Sequence, residues 1–316
     1  MNTLIISPEN IKDGEFSRIK YSDLFDNSIA AFDFYSRVSS NCFLKIIPAG
    51  EKINSLNGAS HLYFMKRHQL DFIKQQNLLA KELLKKSSSA GSKVITAMKS
   101  TIDKYFEEIK LIGIQPPLIE EGKAICQNMY DVSIQDKSLK KFINDLEQFN
   151  PSDCSQVFLV SFFSILICKE LDWVGPKTFN ILALGSLFYD IGFLKLPSEV
   201  QEMDPAFMTP EQKVAYHSHP TLGSEALKVI PGINEGIIQI VLQHREHING
   251  TGFPNGLSDQ KIYPLAKVVS LAYGFSSLLK EYKMSPIEAL TSFLRDQQKI
   301  AWYDPLLIKS LIKAVK

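Results

Sequence analysis

The sequence predicts a mainly α-helical protein in which a small α+β module and a set of linking helices precede a C-terminal helical bundle. Short apolar patches separated by turn residues fill the first 75 residues, a pattern that is typical of strands. Amphipathic runs follow, and from about residue 150 the residues that start helices recur along the chain. We therefore divide the chain into residues 1–75, 76–150 and 151–316.

The composition excludes several classes of protein. A chain of 316 residues is long enough for two domains, and a hydrophobic content of 45% excludes wholesale disorder. The 35 Lys+Arg residues balance 34 Asp+Glu residues, so neither a DNA-binding surface nor an acidic tail is indicated. The four cysteines form no CxxC pair, which suits a reducing cytoplasm. The longest apolar stretch, residues 157–168, is shorter than the ~20 residues of a membrane span, so we expect a cytoplasmic protein with a buried helix there.

Three segments of the first module have the length and composition of strands. They are residues 29–36, 42–47 and 61–65, with turn residues between them at 48–50 and 54–58. Together they predict a small sheet.

The linking region contains two runs with helical spacing. The first begins near Leu70 and is interrupted at residues 87–92, where Ser, Ala and Gly favour a turn. The second run places apolar residues from Val94 to Ile109 near helical spacing, and we expect it to end before Pro116.

The third region repeats the sequence signature of a helix N-terminus. Each instance has a side chain that accepts hydrogen bonds from the first turn, and most have a proline beside it. The predicted starts are Pro151 with Ser152 or Asp153, Thr178, Thr209-Pro210, Ser285-Pro286 and Asp304-Pro305.

Asp190, His219 and His244 are candidate ligands of a divalent metal. Imidazole and carboxylate together suit iron, manganese or zinc, and helices can deliver such side chains to a common centre. His219 stands before Pro220 at the expected start of a helix, and His247 is three residues after His244, close enough to share a helix face. A single histidine or aspartate at a helix end is more often a cap or a surface group, so it is the clustering that favours a metal site.

Residues 250–257, Gly-Thr-Gly-Phe-Pro-Asn-Gly-Leu, resemble the signature loop of HD-GYP domains, which are bacterial cyclic di-GMP phosphodiesterases of the HD superfamily. The loop residues that carry the resemblance are Gly250, Gly252, Phe253 and Pro254. Three further motifs occur in the family's order: Asp190-Ile191-Gly192, His219-Pro220 with Gly223, and Tyr303-Asp304-Pro305. The resemblance covers residues 152–316 and implies an HD-type helical bundle, while residues 1–75 resemble the accessory domain that precedes many such domains.

The resemblance implies two or three metal ions, but several ligand positions depart from the family pattern. The family's early histidine falls at Cys154, and the HD histidine, the second histidine of a later pair and a late acidic residue fall at Tyr189, Arg245 and Tyr273. A tyrosine phenol ionises only near pH 10, and arginine has no lone pair to donate. The three candidate ligands remain, with Asp190 as a vestigial catalytic carboxylate.

These departures predict a degenerate signalling protein that holds either no metal or one weakly held divalent ion (Fe, Mn or Zn) in place of a binuclear centre. The resemblance implies cyclic di-GMP or a GGDEF-type cyclase as a partner, and the sequence leaves a homodimer open. The candidate phosphate contacts are Lys195, Arg245, Asn249 and Lys267, although ordinary solvated charges are a competing interpretation. Two alternatives stay open: an active metal-dependent cyclic di-GMP phosphodiesterase with a reduced metal site, and a scaffold collapsed around Tyr189 and Tyr273.

Overall fold

A computed structural model gives the fold and divides the chain into two compact units, Met1–Ser138 and Leu139–Lys316. The residues that the structure describes are 13–21, 24, 28–39, 42–53, 61–86, 91–134 and 155–316.

The first unit contains a four-stranded antiparallel sheet in the order β1-β4-β2-β3. Its strands are β1 (Phe16–Lys20), β2 (Phe34–Ser39), β3 (Cys42–Ile47) and β4 (His61–Met65). The sequence pattern predicted β3 and β4 at their observed bounds. It missed β1, and it placed β2 five residues too early, because residues 29 and 30 pair instead with the turn at residues 51 and 52.

Aromatic residues line both faces of this sheet. On one face, Phe34, Phe64 and Phe72 belong to the main core of the unit, and all three are fully buried. On the other face, Phe16 stacks on Phe43 with ring centroids 3.9 Å apart. The sheet is therefore apolar on both sides, which explains why its strands read as short apolar patches rather than as a strict alternation.

The described residues of the first unit also form three α-helices: α1 (Gln69–Lys86), α2 (Gly91–Ile112) and α3 (Pro116–Ile134). The predicted break between the first two falls partly on residues 87–90, which lie outside the described residues. The second run was expected to end before Pro116, and it does so at Ile112, where Gly113 has φ +75° and donates its N–H to the carbonyl of Ile109 at 2.8 Å. Pro116 then occupies the first position of α3.

The second unit is helical throughout its described part. A 3₁₀-helix, Ile191–Lys195, follows the second of its α-helices. The α-helices are α4 (Gln156–Lys169), α5 (Pro176–Phe188), α6 (Ser198–Gln201), α7 (Pro210–His217), α8 (His219–Lys228), α9 (Glu235–Gln243), α10 (Pro264–Glu281), α11 (Pro286–Arg295), α12 (Gln297–Ile300) and α13 (Pro305–Val315).

The structure confirms three of the predicted helix starts. Thr209 and Ser285 form capping boxes, and Asp304 accepts a hydrogen bond from the N–H of Leu306. The prediction at Thr178 was wrong, because α5 begins two residues earlier, after Gly175. The predicted start at residues 151–153 lies outside the described residues.

Helix α4 forms the centre of this unit. Its residues 158–168 are all buried, as the apolar run predicted, and it packs against α5 and α10. Ser155 caps it by accepting the N–H of Phe158 at 3.4 Å. Among the described residues, no helix is both long enough and apolar enough to cross a lipid bilayer.

Two glycines allow the 3₁₀-helix and α8 to approach each other at backbone distance. A Cβ atom on Gly192 would lie 2.0 Å from the carbonyl oxygen of His219 and 2.4 Å from the nitrogen of Gly223. Because these distances leave no room for a side chain, glycine at position 192 is what brings residue 190 close to residue 219.

We expect Gly192→Ala to destabilise the second unit by about 2 kcal/mol or more, because backbone atoms must move to admit the methyl group. The matched control is Gly175→Ala, where an added Cβ would have no neighbour within 4 Å, and we expect it to cost less than about 1 kcal/mol. Both tryptophans, Trp173 and Trp302, lie in this unit, so urea unfolding followed by tryptophan fluorescence measures the difference. Equal decreases in the free energy of unfolding of the two variants would contradict the close approach of the 3₁₀-helix and α8.

Candidate functional site

The fold brings Asp190, His219 and His244 to one point. Asp190 directly precedes the 3₁₀-helix, His219 is the first residue of α8, and His244 directly follows α9. One ligand atom from each side chain lies within 4.8 Å of the other two. His219 and His244 are 1% and 0% exposed, while the Asp190 side chain keeps 28% of its surface accessible. The structure thus joins the three candidate ligands that the sequence singled out.

Backbone carbonyls fix the orientation and the tautomer of both imidazoles. The Nδ1 atom of His219 lies 2.6 Å from the carbonyl oxygen of Tyr216, and the Nδ1 atom of His244 lies 2.8 Å from that of Val241. Because a carbonyl oxygen only accepts, each Nδ1 must carry the proton, and each Nε2 of a neutral ring then presents a lone pair.

The two Nε2 atoms face each other at 3.2 Å, and Oδ1 of Asp190 lies 3.3 Å from Nε2 of His219. Lone pairs that converge without a proton between them repel each other, and a cation among them removes the repulsion. Two imidazole nitrogens and a carboxylate also form a donor set that suits iron, manganese or zinc. The three residues therefore fit one divalent metal.

Burial keeps both rings in the form that binds metal. Burial lowers the pKa of His219 to about 3, and the nearby charge of Arg245 lowers it further. The pKa of His244 is held well below its usual value by burial and by His219. Burial raises the pKa of Asp190 to about 6, which Arg245 partly offsets. Near neutral pH the site consists of two neutral imidazoles and a carboxylate that is mostly ionised.

The residue before Asp190 does not extend this donor set. Tyr189 is 0% exposed, and its hydroxyl has no hydrogen-bond partner among the described residues. Its ring packs edge-on against His244, with centroids 5.1 Å apart, and against Tyr273 at 6.0 Å. Burial raises the pKa of Tyr189 well above its usual value, so the hydroxyl stays protonated and is a poor metal ligand.

Arg245 occupies the other side of the cluster, inside a cage of aromatic rings. Its guanidinium carbon lies 4.0 Å from the ring centroid of Tyr273, 5.1 Å from that of Phe253 and 5.8 Å from that of Tyr216. No ion pair within 4.0 Å joins this guanidinium to a carboxylate in the described part of the chain. A permanent cation beside His244 opposes a second metal ion, so the residues present do not fit a binuclear centre.

A cavity of about 780 Å³ opens beside this cage. Arg245 and His244 line it together with three lysines, Lys213, Lys280 and Lys299. Two acidic residues, Asp204 and Glu281, also line it, so the basic side chains outnumber the acidic ones. The aromatic lining includes Tyr216, Phe253, Tyr273, Trp302 and Tyr303. The volume lies in the range of small-molecule sites, and the lining suits an anionic ligand with flat rings.

The signature loop is held by a buried carboxylate. Glu246 is 1% exposed and accepts hydrogen bonds from the N–H groups of Asn255 at 2.7 Å and Leu257 at 2.8 Å. A Cβ atom on Gly252 would lie 2.5 Å from the backbone of residues 245–247, so only glycine fits there. Glu246 is occupied in this way and adds no ligand to the metal cluster.

His247 is directed away from the cluster. The sequence suggested that it shares a helix face with His244, but α9 ends at Gln243. The His247 ring stacks on Trp302 with centroids 4.4 Å apart, and its Nδ1 atom lies 3.1 Å from Oγ1 of Thr251. It therefore supports the cavity wall.

Of the four candidate phosphate contacts, the structure places only Arg245 in the cavity lining. Lys267 instead pairs with Asp259 at 2.7 Å, and Asn249 accepts hydrogen bonds from Thr251 within the loop. Lys195 ends the 3₁₀-helix. Cys154, the position of the family's early histidine, lies outside the described residues.

No sequence pattern indicated Lys213, Lys280, Lys299 or Trp302 as site residues. They come from three separate segments, and no local motif links those segments. Only the tertiary fold assembles them, so a family signature was the one signal that pointed to this region.

Comparison with known proteins agrees with this description. A profile described as HD domain matches residues 138–307. The cyclic di-GMP phosphodiesterase PdeB of Borreliella burgdorferi is 25% identical over 156 residues, covering 48% of this chain and 40% of that protein. The cyclic di-GMP phosphodiesterase response regulator RpfG of Xanthomonas campestris is 24% identical over 233 residues, covering 63% of this chain and 60% of that protein. This chain thus spans about half the length of these relatives.

A solved structure has the same fold. It is described as Bd1817, a HDG"Y"P protein from Bdellovibrio bacteriovorus, and it superposes with a TM-score of 0.66 at 20% sequence identity. The match covers 94% of this chain and 98% of that one. At this identity the likeness establishes the fold alone.

We expect a divalent metal such as Mn²⁺ or Zn²⁺ to raise the melting temperature of the protein, because the ion binds the folded donor set and the unfolded chain lacks it. His219→Ala should abolish this increase. The matched control is His217→Ala, since His217 stacks on Phe253 with centroids 4.1 Å apart and is not part of the cluster. Differential scanning fluorimetry with and without metal measures both. An unchanged metal response in His219→Ala would contradict the assigned ligands.

Metal affinity should rise with pH and then level off. Burial lowers the pKa of His219 to about 3 and holds the pKa of His244 well below its usual value, so both rings are already neutral in this range. Asp190, whose pKa is raised to about 6, must still lose a proton, so the affinity should increase up to about tenfold per pH unit below pH 6 and become flat above about pH 7. Calorimetric titration with Mn²⁺ across this range tests the prediction, and Asp190→Asn should remove the pH dependence. An affinity that keeps rising above about pH 7 would show that another group controls binding.

Proposed function

This chain belongs to the HD domain family, and we propose that it is a signalling protein that binds cyclic di-GMP in the cavity beside the metal cluster without efficiently cleaving it. The observation that carries the proposal is the aromatic cage of Arg245. A guanidinium with no carboxylate partner among the described residues faces a basic cavity, while the second half of a binuclear centre lacks ligands.

The lining of the cavity supports a ligand that carries phosphates and bases. A guanidinium can donate two parallel hydrogen bonds to phosphate oxygens, and the aromatic cage orients it for that contact. Lys213, Lys280 and Lys299 add positive charge around the same space. Aromatic rings such as that of Trp302 are the surfaces on which nucleobases stack.

The small number of metal ligands opposes efficient cleavage. Hydrolysis at a paired metal site uses one cation to form hydroxide and another to stabilise the phosphate and the leaving oxygen. Asp190, His219 and His244 supply donors for one ion, and Arg245 stands beside them as a fixed cation. The guanidinium can hold a phosphate, but it cannot lower the pKa of a bound water as a metal does.

A second candidate function is a metal-dependent cyclic di-GMP phosphodiesterase with a reduced metal site. The converging Nε2 atoms of His219 and His244 favour it, because they fit one ion. Such an ion would supply Lewis acidity toward a phosphate oxygen or a water. Docking of a GGDEF-type cyclase stays a prediction from the resemblance, and a homodimer stays open.

We expect cyclic di-GMP to bind the full-length chain and to be recovered intact. Arg245→Gln should weaken binding by about tenfold or more, because it removes a charge-assisted contact to phosphate. Lys267→Gln is the matched control, since Lys267 pairs with Asp259 and does not line the cavity. Isothermal titration calorimetry measures the affinity, and chromatography of the nucleotide after incubation with Mn²⁺ measures cleavage.

Cleavage and binding of cyclic di-GMP distinguish the two candidate functions. Turnover of cyclic di-GMP by the unmodified chain would support the reduced phosphodiesterase and overturn the silent receptor. Absence of binding, or equal affinities in the Arg245→Gln and Lys267→Gln variants, would contradict the proposed contact with phosphate.

A further inference from the structure

A second cavity, of about 530 Å³, lies in the first unit between strand β1 and helix α2. All five residues of β1, Phe16–Lys20, line one side of it. The helix contributes Ser100, Asp103, Lys104 and Glu107, which are spaced at three- and four-residue intervals and therefore share one face. We call this space the β1–α2 groove.

The edge of β1 that borders the groove lacks a partner strand in the described part of the chain. Strand β1 stands first in the sheet order and pairs with β4 alone. In an antiparallel pair, every second residue directs its N–H and C=O groups away from the partner, so the outer edge of β1 offers a row of backbone donors and acceptors.

A buried glutamine connects the two walls of the groove. Gln69 is fully buried and accepts a hydrogen bond from the hydroxyl of Ser17 in β1. Its Nε2 atom donates a hydrogen bond to the carbonyl oxygen of Lys104 in α2 at 3.1 Å. A buried amide needs hydrogen-bond partners. Because Gln69 finds them on both walls, its side chain fixes the distance between β1 and α2.

The lining of the groove is basic. Four cationic side chains, Arg18, Lys20, Lys66 and Lys104, face two acidic ones, Asp103 and Glu107. Lys104 is paired with Glu107 at 2.7 Å, whereas Arg18, Lys20 and Lys66 form no ion pair with a described residue. The Nη2 atom of Arg18 instead lies 2.8 Å from Nε2 of His61, which therefore acts as a neutral acceptor.

We propose that the β1–α2 groove binds an extended acidic peptide, which adds as a further strand to the free edge of β1. The backbone of the peptide pairs with β1, and its carboxylate side chains contact Arg18, Lys20 and Lys66. A strand of five residues spans about 17 Å, so the groove suits a segment of about five residues. This mode of recognition, with backbone pairing for affinity and side-chain pockets for specificity, is used by other domains that present a strand edge beside a helix.

The free strand edge and the charge favour this occupant over other polyanions. A nucleic acid has no backbone N–H and C=O pattern that matches a strand edge, so it would use the charge alone. A basic peptide would match the edge and oppose the charge. The groove lies within the first unit, so this proposal is independent of the cyclic di-GMP proposal.

The test uses the full-length chain and a fluorescein-labelled hexapeptide of alternating Val and Glu. Fluorescence anisotropy should detect binding, and hydrogen exchange should show new protection over residues 16–20. Two matched peptides serve as controls: one with Lys in place of Glu, and one with the same sequence and N-methyl groups on alternate amides. Each should bind about tenfold more weakly or worse, the first because of charge and the second because it cannot complete the ladder.

Protein variants test the location of the groove. Arg18→Glu combined with Lys20→Glu should reduce affinity for the acidic peptide by about tenfold or more. Arg37→Glu is the control, because Arg37 is an exposed cation of β2 that does not line the groove.

Several results would overturn the proposal. Failure of the acidic peptide to bind would do so, as would equal binding of the N-methylated peptide or unchanged exchange over residues 16–20. Binding of a single-stranded oligonucleotide in place of the peptide would assign the groove to nucleic acid, and equal effects of the two charge reversals would place the peptide elsewhere.

Discussion

The candidate site of the second unit is organised around a half-buried cation, the guanidinium of Arg245. Aromatic rings on α7, on α10 and in the signature loop surround it at 4.0–5.8 Å. No carboxylate of the described residues forms an ion pair with it within 4.0 Å, and the charge of Asp190 acts on it from a longer distance. A charge in this position determines what else the site can hold, because it repels a metal ion and attracts a phosphate. Three positions at which the family resemblance implies metal ligands thus carry other side chains: Arg245 supplies the cation, Tyr273 supplies one ring of its cage, and Tyr189 packs against His244.

The remaining half of the centre keeps the features of a metal site. The close approach at Gly192 brings the 3₁₀-helix against α8, and backbone carbonyls orient both imidazoles so that their lone pairs converge near Asp190. Such an arrangement is unfavourable without a cation and is not expected of a purely structural core. The same fold thus combines a one-ion donor set with a basic cavity, an arrangement suited to holding a phosphodiester.

Sequence patterns of a few neighbouring residues predicted several helices and strands correctly. The capping boxes at Thr209 and Ser285, the strands β3 and β4, and the buried helix α4 each follow from a few neighbouring residues. The start of α5 was misplaced because this helix begins at Gly175 and Pro176 without a side-chain cap. Strand β1 was missed because Ser17, Arg18 and Lys20 interrupt its apolar residues.

The sequence predicted the metal ligands of the candidate site but not the residues that line its cavity. Asp190, His219 and His244 occur in motifs that have a fixed order along the chain, so the sequence identified them. The lysines that line the cavity belong to no motif, and Lys267, which the sequence suggested as a phosphate contact, is paired with Asp259. Proximity in space, which depends on how α7, α10 and α12 pack, decided which cations surround the cavity.

We infer that the described residues beside Arg245 supply donors for at most one metal ion. The most direct measurement is anomalous diffraction from crystals grown with excess Mn²⁺, combined with elemental analysis of the same preparation. We expect at most one ordered ion per chain, bound by Asp190, His219 and His244, with the guanidinium of Arg245 still inside its aromatic cage. Two ordered ions bridged by the Asp190 carboxylate would contradict it.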